Sequence, residues 1–439
     1  MMIWEMVDLM TMTFNYKLNQ TIHDTFFVDN TEIFKIKMLN WSNQFNIFCF
    51  LDNNNYNFEQ PAFECMLAVG ANASIELSNE NLFENLKSFA QNNPGWLFGH
   101  INYPSDQQNE TGFPAAYFFQ PEILVTVSKN QVHISSNTKQ NTQEIFQEIE
   151  MQSDVISENN TAQIICKPDH TQEDYLEKLK NILAHIQRGD CYEINFCRHF
   201  FSNDVEVNPT YLYQQLKTVS PNPFAAFYKL SDKYCICSSP ERFLKKTGDT
   251  VISQPIKGTS RRDLTYTDKD EDLKNQLKNS PKERSENVMI VDLVRNDLSK
   301  IATEGSVRVE ELFEMYSFPQ VHQMISTIAA NVDKSMHWTE IVDACFPMGS
   351  MTGAPKKKVM ELIEKYETLP RGLFSGTIGY ITPDGDFDFN VIIRSLFYNQ
   401  TKKHLSYFAG GGITINSNPL QEFEETNVKV SAIESILKN

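Results

Sequence analysis

Short apolar runs separated by polar turns dominate the first third of the chain and predict β-strands. The runs FNIFCFL, YFFQ, ILVTVS and VHISS lie within residues 1–160, which are rich in asparagine, glutamine and aromatic residues. Such runs, bounded by turn residues, are typical of antiparallel sheets. We therefore predict a β-rich N-terminal region over residues 1–160. The stretch 138–163 is polar and acidic with little apolar periodicity, so we expect it to be a linker.

From Thr171 onward the pattern changes to alternating helices and strands. The segment TQEDYLEKLKNILAHIQRGD begins with a threonine that can cap a helix, has Asp174 three residues later, and repeats apolar residues at helical spacing up to a glycine. Strand and helix patterns then alternate to the C-terminus without internal repeats. This arrangement predicts an α+β fold with a large system of mixed sheets.

Composition and charge narrow the class of protein. Hydrophobic residues make up 41% and charged residues 22%, as in ordinary globular proteins. The net charge of −17 disfavours nucleic acid or an anionic membrane as partner, and no apolar stretch reaches the roughly 18 residues of a membrane helix. The start, MMIWEMVDLMTMTF, lacks the basic residues of a signal peptide. The eight cysteines form no CxxC pair, so we expect free thiols in the cytoplasm.

Two pairs of glutamates lie on the apolar sides of predicted helices, where a solvated acidic face would not be. Glu283 and Glu286 share the apolar side of the helix PKERSENVMIVDLVRNDL. Glu422 and Glu425 share the apolar side of the closing helix PLQEFEETNVKVSAIESIL, together with Lys429. An ionised carboxylate inside a protein costs several kcal/mol unless it is paired or bound to a metal.

The periodicity alone leaves two interpretations of these glutamates open. Two ExxE pairs on two helices could converge on one hard cation such as Mg²⁺, which prefers oxygen ligands. Alternatively, carboxylates near helix starts are favoured by the helix dipole, and Glu425 could pair locally with Lys429. ExxE is a common pattern, so it does not decide between them.

Nine motifs resemble, in their order along the chain, the chorismate-utilising enzyme family. They are SSPERFL (238–244), QPIKGTSRRD (254–263), ERSENVMIVDLVRNDL (283–298), FPQVHQM (318–324), FPMGSMTGAPKKKVMELI (346–363), FSGTIGY (374–380), VIIRS (391–395), AGGGIT (409–414) and EFEET (422–426). The resemblance implies an anthranilate synthase component I-like fold, with antiparallel and mixed β-sheets in a sandwich core flanked by helices. It also implies a chorismate-binding catalytic region over residues 170–437, and a more distant likeness of residues 1–160 to the family's N-terminal region.

The resemblance further implies a Mg²⁺ site beside a pocket for chorismate, a ring that carries two carboxylates. Glu286 and Glu425 would bind Mg²⁺ directly, and Glu283 and Glu422 would support it through water. Arg394 would clamp the enolpyruvyl carboxylate. The ring carboxylate would be held by Lys429 and the backbone near two glycines, with two threonines beside the ring. The expected substrate contacts are Gly258, Thr259, Thr352, Arg394, Gly410, Gly412 and Lys429.

The motif PIKGT, which contains Lys257, resembles the one found in the aminodeoxychorismate synthase branch of the family. Anthranilate synthases look like PIAGT at the same place, with alanine instead of the lysine. This implies that the Lys257 amine attacks ring carbon 2 while the carbon 4 hydroxyl leaves. Ammonia then adds at carbon 4 and expels the lysine, which gives 4-amino-4-deoxychorismate, a precursor of para-aminobenzoate. We expect burial or nearby cations to depress the pKa of Lys257. Glu241 matches the general acid for the departing hydroxyl and should have a raised pKa, and His322 is expected near the reacting carbon.

Glu193 stands where the amine-using members of the family usually have glutamine and the water-using members a lysine, and its role stays open. No glutaminase nucleophile motif is visible, so we expect ammonia to come from a separate glutamine amidotransferase subunit. Two other interpretations remain. One is an anthranilate synthase component, which Lys257 disfavours. The other is a catalytically silent chorismate-binding subunit, which the complete set of Lys257, Glu241, Glu286 and Glu425 disfavours.

Overall fold

The computed structural model describes residues 21–56, 64–158, 163–318 and 321–438, which form two large sheets and their covering helices. The start of the chain and residues 319–320 of the FPQVHQM motif lie outside these residues. No helix in the described ranges combines the length and the apolar character that crossing a bilayer requires. All eight cysteines are free thiols, as expected from their spacing.

The strands and helices of the described residues are numbered in chain order. The strands are β1 Ile22–Phe27, β2 Ile47–Asp52, β3 Cys65–Val69, β4 Ala73–Leu77, β5 Leu97–Ile101, β6 Ala116–Gln120, β7 Ile123–Ser128, β8 Gln131–Ser136, β9 Lys167–Pro168, β10 Glu193–Ser202, β11 Phe224–Leu230, β12 Lys233–Ser239, β13 Arg242–Thr247, β14 Thr250–Gln254, β15 Ile256–Arg261, β16 Arg308–Ser317, β17 Val321–Asn331, β18 Gly353–Ala354, β19 Thr377–Ile381, β20 Phe387–Asn390, β21 Ser395–Asn399 and β22 His404–Thr414. The helices are α1 Thr31–Ser42, α2 Leu82–Asn92, α3 Thr142–Glu150, α4 Gln172–Gln187, α5 Pro209–Val219, α6 Thr267–Lys278, α7 Pro281–Ser299, α8 Trp338–Cys345, α9 Lys356–Tyr366 and α10 Pro419–Leu437, with a short 3₁₀ turn at Gly349–Met351.

Two antiparallel sheets pack face to face and confirm the predicted α+β sandwich. The larger sheet has 12 strands in the order β1-β8-β7-β3-β2-β11-β12-β21-β22-β10-β18, with β9 attached to β10. The smaller has 10 strands in the order β15-β17-β14-β13-β20-β19-β5-β6-β4, with β16 attached to β17. Apolar side chains of both sheets, such as Phe98 and Phe397, share one core. A second core lies under α1, α3, α5 and α10 on the outer face of the larger sheet.

Both sheets combine strands from the two regions distinguished in the sequence. In the larger sheet β2 pairs with β11, and Phe50 lies opposite Phe227. In the smaller sheet β5 pairs with β19, and Gly99 lies opposite Gly379. The N-terminal region therefore contributes strands to both sheets and pairs there with strands from the later part of the chain.

Part of the stretch predicted as a linker is a helix. α3 occupies residues 142–150, and its N-terminus is capped by the Asn141 side chain. Ile145 and Ile149, one helical turn apart, are fully buried in the core on the outer face of the larger sheet. The prediction was wrong here because burial of two apolar residues is enough to hold a short helix against the sheet. A hydrophobic pattern of only two residues is difficult to recognise in a polar sequence.

The three helix starts that bear on the sequence predictions have side-chain caps. Thr171 and Asp174 form a reciprocal capping box at α4, as predicted. The Ser280 hydroxyl accepts a hydrogen bond from the backbone N–H of Glu283 at the start of α7. The Asn418 side chain accepts hydrogen bonds from the backbone N–H groups of Leu420 and Gln421 at the start of α10. These caps set where the two glutamate-bearing helices begin.

A buried arginine joins the end of α9 to β10 and to the 3₁₀ turn. Arg371 is 1% exposed, and its Nη2 lies 2.5 Å from Glu367 Oε1. Its guanidinium also donates to the carbonyl of Met351 at 2.7 Å and to that of Asn195 at 2.8 Å. The same Glu367 oxygen accepts the backbone N–H of Cys197. One ion pair thus fixes three segments that lead to the cavity described below.

Replacing this arginine should destabilise the whole fold. Arg371→Met leaves the Glu367 carboxylate buried without its cation, so we expect the free energy of unfolding to fall by about 3–5 kcal/mol. Urea denaturation followed by circular dichroism measures the change. Lys358→Met is the matched control, because Lys358 and its partner Glu361 are 43% and 55% exposed and should matter little. Equal stabilities of the two variants would contradict the structural role of Arg371.

Candidate active site

One large cavity, of about 1000 Å³, opens between the ends of β15, β22, α7 and α10. Of the fourteen residues predicted from the sequence, twelve line its wall. They are Glu241, Lys257, Gly258, Thr259, Glu283, Glu286, Arg394, Gly410, Gly412, Glu422, Glu425 and Lys429. Residues more than 180 positions apart in the chain are therefore brought to one site.

The wall of this cavity mixes cations and carboxylates in nearly equal number. The basic residues are Lys257, Arg261, Arg262, Lys282, Arg394 and Lys429, and the acidic ones are Glu241, Glu283, Glu286, Glu422 and Glu425. The chain as a whole carries a net charge of −17. The cavity wall is therefore close to neutral although the chain as a whole is acidic, so an anionic ligand is repelled less there than elsewhere on the protein.

Lys257 lies in β15 and forms a buried ion pair with Glu193. Its Nζ is 2.9 Å from Glu193 Oε1. Burial lowers the pKa of Lys257, but the carboxylates of Glu193, Glu286 and Glu241 outweigh burial and leave the pKa above its ordinary value. The sequence-based expectation of a depressed pKa is wrong for this arrangement, because anions rather than cations surround the amine.

The glycines of β22 allow the backbone to approach these charged groups. A Cβ at Gly412 would lie 2.6 Å from Glu193 Oε1 and 2.9 Å from Lys257 Nζ. At Gly410, a Cβ would collide with the side chain of Cys197 and lie 2.6 Å from the carbonyl oxygen of Phe196 on β10. Side chains at these positions would displace either the neighbouring strand or the ion pair.

Glu241, which immediately precedes β13, has the raised pKa expected of a general acid. Its side chain is 5% exposed. Burial raises the pKa to about 7, although a hydrogen bond from Ser350 and the charges of Lys257 and Arg394 partly oppose this effect. A carboxyl group with this pKa can hold a proton near neutral pH and release it to a reacting group.

Arg394 reaches the cavity from the short connection between β20 and β21. Its backbone has φ = 51°, in the left-handed region that residues other than glycine and asparagine rarely adopt. This conformation costs roughly 1–2 kcal/mol. Strain of this kind is characteristic of functional sites, where the surrounding fold imposes it. The arginine is therefore held in place by the two strands that flank it.

Three of the four glutamates of α7 and α10 lie within 4 Å of the ammonium group of Lys282. Lys282 Nζ lies 3.4 Å from Glu422, 3.7 Å from Glu425 and 3.9 Å from Glu286. Burial raises the pKa of Glu286 to about 7 and raises that of Glu283. For Glu425 burial acts in the same direction, but Lys429 and Lys282 bring the pKa below its usual value.

This set of carboxylates fits a hard divalent cation in its chemistry. Glu286 is 7% exposed, and its Oε1 is buried without a hydrogen-bond partner, so it is available as a ligand. Within the described residues no three acidic, histidine or cysteine side chains already converge as a metal shell. Lys282, which the sequence patterns did not single out although it adjoins Glu283, supplies the cation at this position instead.

The ammonium group of Lys429 has two partners, one on β22 and one on α10. Its Nζ donates to the carbonyl of Gly410 at 2.8 Å and lies 2.8 Å from Glu425 Oε1. The Glu–Lys pair along α10, one of the two interpretations left open by the sequence, is therefore present. Glu425 nevertheless remains close to Glu422. A Cβ placed on Gly411 would lie 3.4 Å from Glu422 Oε2 and 3.8 Å from Glu425 Oε1, so both carboxylates face the same point of β22.

Two predicted residues do not reach the cavity wall. The His322 ring is bonded to Asp270 at 3.0 Å and to Ser317 at 2.9 Å, and it is 1% exposed. The Thr352 hydroxyl donates to the carbonyl of Met348 at 3.0 Å. The polar groups of both side chains are thus used within the protein. Two aromatic side chains form part of the cavity wall: Phe374 stacks on Phe408, with the ring centres 4.9 Å apart.

Comparisons with known proteins agree with this geometry. The profile of the chorismate binding enzyme family matches residues 47–435. The chain is 34% identical to aminodeoxychorismate synthase component 1 of Klebsiella aerogenes over 77% of its own length and 74% of that protein. It is 39% identical to the Salmonella typhimurium protein of the same name, over 61% of its own length and 58% of the relative.

A solved structure shows the same fold. Anthranilate synthase component I from Streptococcus pneumoniae superposes with a TM-score of 0.74 at 22% identity, over 86% of this chain and 93% of that one. At this level of identity the likeness concerns the fold alone. The family match spans nearly the whole described structure and includes every element that lines the cavity. The chain belongs to the family of chorismate-binding enzymes.

Proposed function

We propose that this chain is the synthase component of an aminodeoxychorismate synthase, which converts chorismate and ammonia to 4-amino-4-deoxychorismate. The observation that carries the proposal is the meeting of three groups in one cavity. A lysine amine, a carboxyl group with a pKa of about 7 and a cage of four glutamates all line it. The names of the Klebsiella and Salmonella relatives support the same reaction.

The cations of the cavity suit the two carboxylates of chorismate. Arg394 presents a planar donor that can bind a carboxylate through two parallel hydrogen bonds, and we assign it to the enolpyruvyl group. We assign the ring carboxylate to Lys429 and to the backbone near Gly410 and Gly412. Phe374 and Phe408 provide an apolar wall against which the ring can pack.

The four glutamates Glu283, Glu286, Glu422 and Glu425 would hold a Mg²⁺ ion. When bound there, Mg²⁺ supplies positive charge that neutralises the ring carboxylate and draws electrons toward it. For the glutamates to close around an ion, the Lys282 ammonium must leave the position that it occupies in this structure. The side chain is 47% exposed and can turn toward solvent.

The reaction assigned to the remaining residues has two displacements. The neutral amine of Lys257 attacks ring carbon 2, the double bonds shift, and the hydroxyl leaves carbon 4 as water with a proton from Glu241. Ammonia then attacks carbon 4, the double bonds shift back, and the bond from carbon 2 to Lys257 breaks. The amino group thereby arrives where the hydroxyl was. We propose that a separate glutamine amidotransferase subunit delivers the ammonia, in line with the designation component 1 of the relatives.

Mass spectrometry of the product tests this proposal directly. Purified protein is incubated with chorismate, ammonium and Mg²⁺, and we expect 4-amino-4-deoxychorismate. Fluorescent anthranilate would show that the chain belongs to the anthranilate-forming branch instead. Chorismate binding without turnover would identify a silent binding subunit. Either result would overturn the assignment.

Removing the proposed nucleophile should abolish product formation. Lys257→Ala lacks the amine that attacks carbon 2, so we expect kcat to fall by about 10³-fold or more with the fold intact. Product formation is measured by chromatography and the fold by circular dichroism. Lys269→Ala, at a side chain that is 65% exposed, is the control and should retain full activity. Near-normal turnover by Lys257→Ala would remove the lysine from the mechanism.

The raised pKa of Glu241 predicts how activity varies with pH. A general acid must carry its proton, and a carboxyl group with a pKa of about 7 loses it as the pH rises through 7. We therefore expect kcat/KM for chorismate to fall above about pH 7. Glu241→Gln should be slow at all pH values and should lack this descending limb. A descending limb that persists in the variant would belong to another group.

The position of Lys282 predicts that this lysine competes with the metal. Lys282→Met removes a cation from the glutamate cage, so we expect Mg²⁺ to bind about fivefold more tightly, the equivalent of roughly 1 kcal/mol for a partly exposed pair. Isothermal titration calorimetry without substrate measures the affinity. Lys300→Met is the control, since Lys300 pairs with Asp297 outside the cage. Unchanged or weaker binding would show that Lys282 does not occupy the metal position.

A further inference from the structure

Six basic residues line the cavity, and four of them are paired with a carboxylate of the protein itself. The four ion pairs are Lys257–Glu193, Arg262–Asp270, Lys282–Glu422 and Lys429–Glu425. Among the described residues, Arg261 and Arg394 form no ion pair with a carboxylate. These two guanidinium groups are therefore the cations of the wall that the surrounding protein leaves uncompensated.

The two unpaired arginines lie in different parts of the cavity. Arg394, in the connection between β20 and β21, is partly buried and is already assigned to a carboxylate of the substrate. Arg261 is the last residue of β15, and its side chain is exposed. It follows Lys257 by four residues, which is roughly 13 Å along an extended strand. The strand β15 therefore leads from the reacting amine to an exposed cation at the mouth of the cavity.

The fold holds the backbone of Arg261 but makes no use of its side chain. Arg261 lies opposite Val321 in the register of the smaller sheet, and both residues line the cavity. The next residue, Arg262, is bonded to Asp270 at 2.7 Å and to the carbonyl of Phe318 at 3.2 Å. The end of the strand is thus anchored on both sides. The Arg261 guanidinium donates to no group in the parts of the chain that the structure describes.

The carboxylates that follow Arg261 in the chain have other partners. Asp263 lies 2.7 Å from Lys269 Nζ. Asp270 accepts a hydrogen bond from Arg262 and another from the backbone N–H of Asp263. Neither carboxylate compensates Arg261, so the charge of this arginine acts on solvent and on ligands that enter the cavity.

An exposed cation at this place changes how an anion approaches the protein. The chain carries a net charge of −17, which repels chorismate with its two carboxylates. Salt screens charges beyond about 8 Å at physiological ionic strength, so the charges nearest the mouth dominate the last part of the approach. A cation there raises the local concentration of an anionic substrate and the rate at which it enters.

We propose that Arg261 captures the dianionic substrate at the mouth of the cavity, an inference that rests on the proposed function because it takes chorismate as the ligand. The substrate then moves inward, where Arg394 and Lys429 hold its two carboxylates. Arg261 acts through its charge during entry and has no part in the chemical steps. Its contribution therefore belongs to kcat/KM for chorismate and not to kcat.

A charge series at position 261, measured at two ionic strengths, tests the proposal. With Mg²⁺ and ammonium held constant, potassium chloride raises the ionic strength from about 50 mM to about 500 mM, which shortens the range of electrostatic forces. At the lower value we expect Arg261→Gln to lose about fivefold in kcat/KM and Arg261→Glu about 20-fold or more. Arg261→Lys should resemble wild type. At the higher value the differences should nearly vanish, and kcat should be the same throughout.

Arg295→Gln is the matched control, because it removes the same charge from another exposed position. Arg295 is 52% exposed, pairs with Asp292 and does not line the cavity. Its variant should keep the kcat/KM of wild type at both ionic strengths. A loss equal to that of Arg261→Gln would show that net charge matters rather than the place of the arginine, and would overturn the proposal. Circular dichroism checks that all variants are folded.

The remaining outcomes separate this inference from the proposed function. Equal kcat/KM for wild type and Arg261→Gln at low ionic strength would show that Arg261 does not act on entry. A loss that persists at high ionic strength, or a lower kcat, would place Arg261 in the reacting complex and also overturn capture at the mouth. In both cases wild type still forms 4-amino-4-deoxychorismate. If wild type forms another product or none, the proposed function fails, together with the inference that rests on it.

Discussion

The free-energy cost of removing carboxylates from water is the constraint on which this cavity depends. Five glutamates line it, and a sixth, Glu193, forms an ion pair with Lys257. Each of them must be matched by a cation, by a hydrogen-bond donor or by a proton. The structure uses cations and protons. Lys257 compensates Glu193, Lys282 compensates the cage of glutamates, and Glu241 and Glu286 acquire a pKa of about 7.

The same constraint makes neighbouring groups in the cavity chemically different. Glu241 is desolvated and can store a proton, whereas Glu425 is stabilised as an anion by Lys429 and Lys282. Lys257 is held as a cation by its neighbours, so its reactivity depends on where its proton can go. Identical side chains thus differ in how readily they hold a proton, according to burial and to the nearest charge.

Much of the site was predictable from the sequence because its residues lie in short, distinctive motifs. Glu286 and Glu422 could be assigned to the interior from helical periodicity alone, and both are buried. His322 does not line the cavity whereas its neighbour Val321 does, because adjacent residues of a strand face opposite sides and a motif does not say which side a cavity occupies. The pKa of Lys257 was misjudged for a related reason. Its shift depends on Glu193, which is 64 residues distant in the chain and reaches it only through the fold.

The fold was less predictable where its elements depend on distant partners. The helix α3 was missed because its stability comes from docking two isoleucines rather than from its own sequence. The strands FNIFCFL and ILVTVS were recognised, but nothing in them indicates that β2 would pair with β11. Pairing over such separations is decided by the packing of whole sheets, which local patterns do not record.

The sharing of both sheets between early and late parts of the chain has a consequence for biosynthesis. While the protein emerges from the ribosome, β5 cannot find its neighbour β19 until almost the entire polypeptide has been made. The early strands can pair with one another, but β5 keeps an open edge during that time, and its apolar surface stays accessible to other molecules. Such a chain should depend on chaperones during translation. A truncation from the C-terminal side would remove strands from the middle of both sheets rather than a separable module.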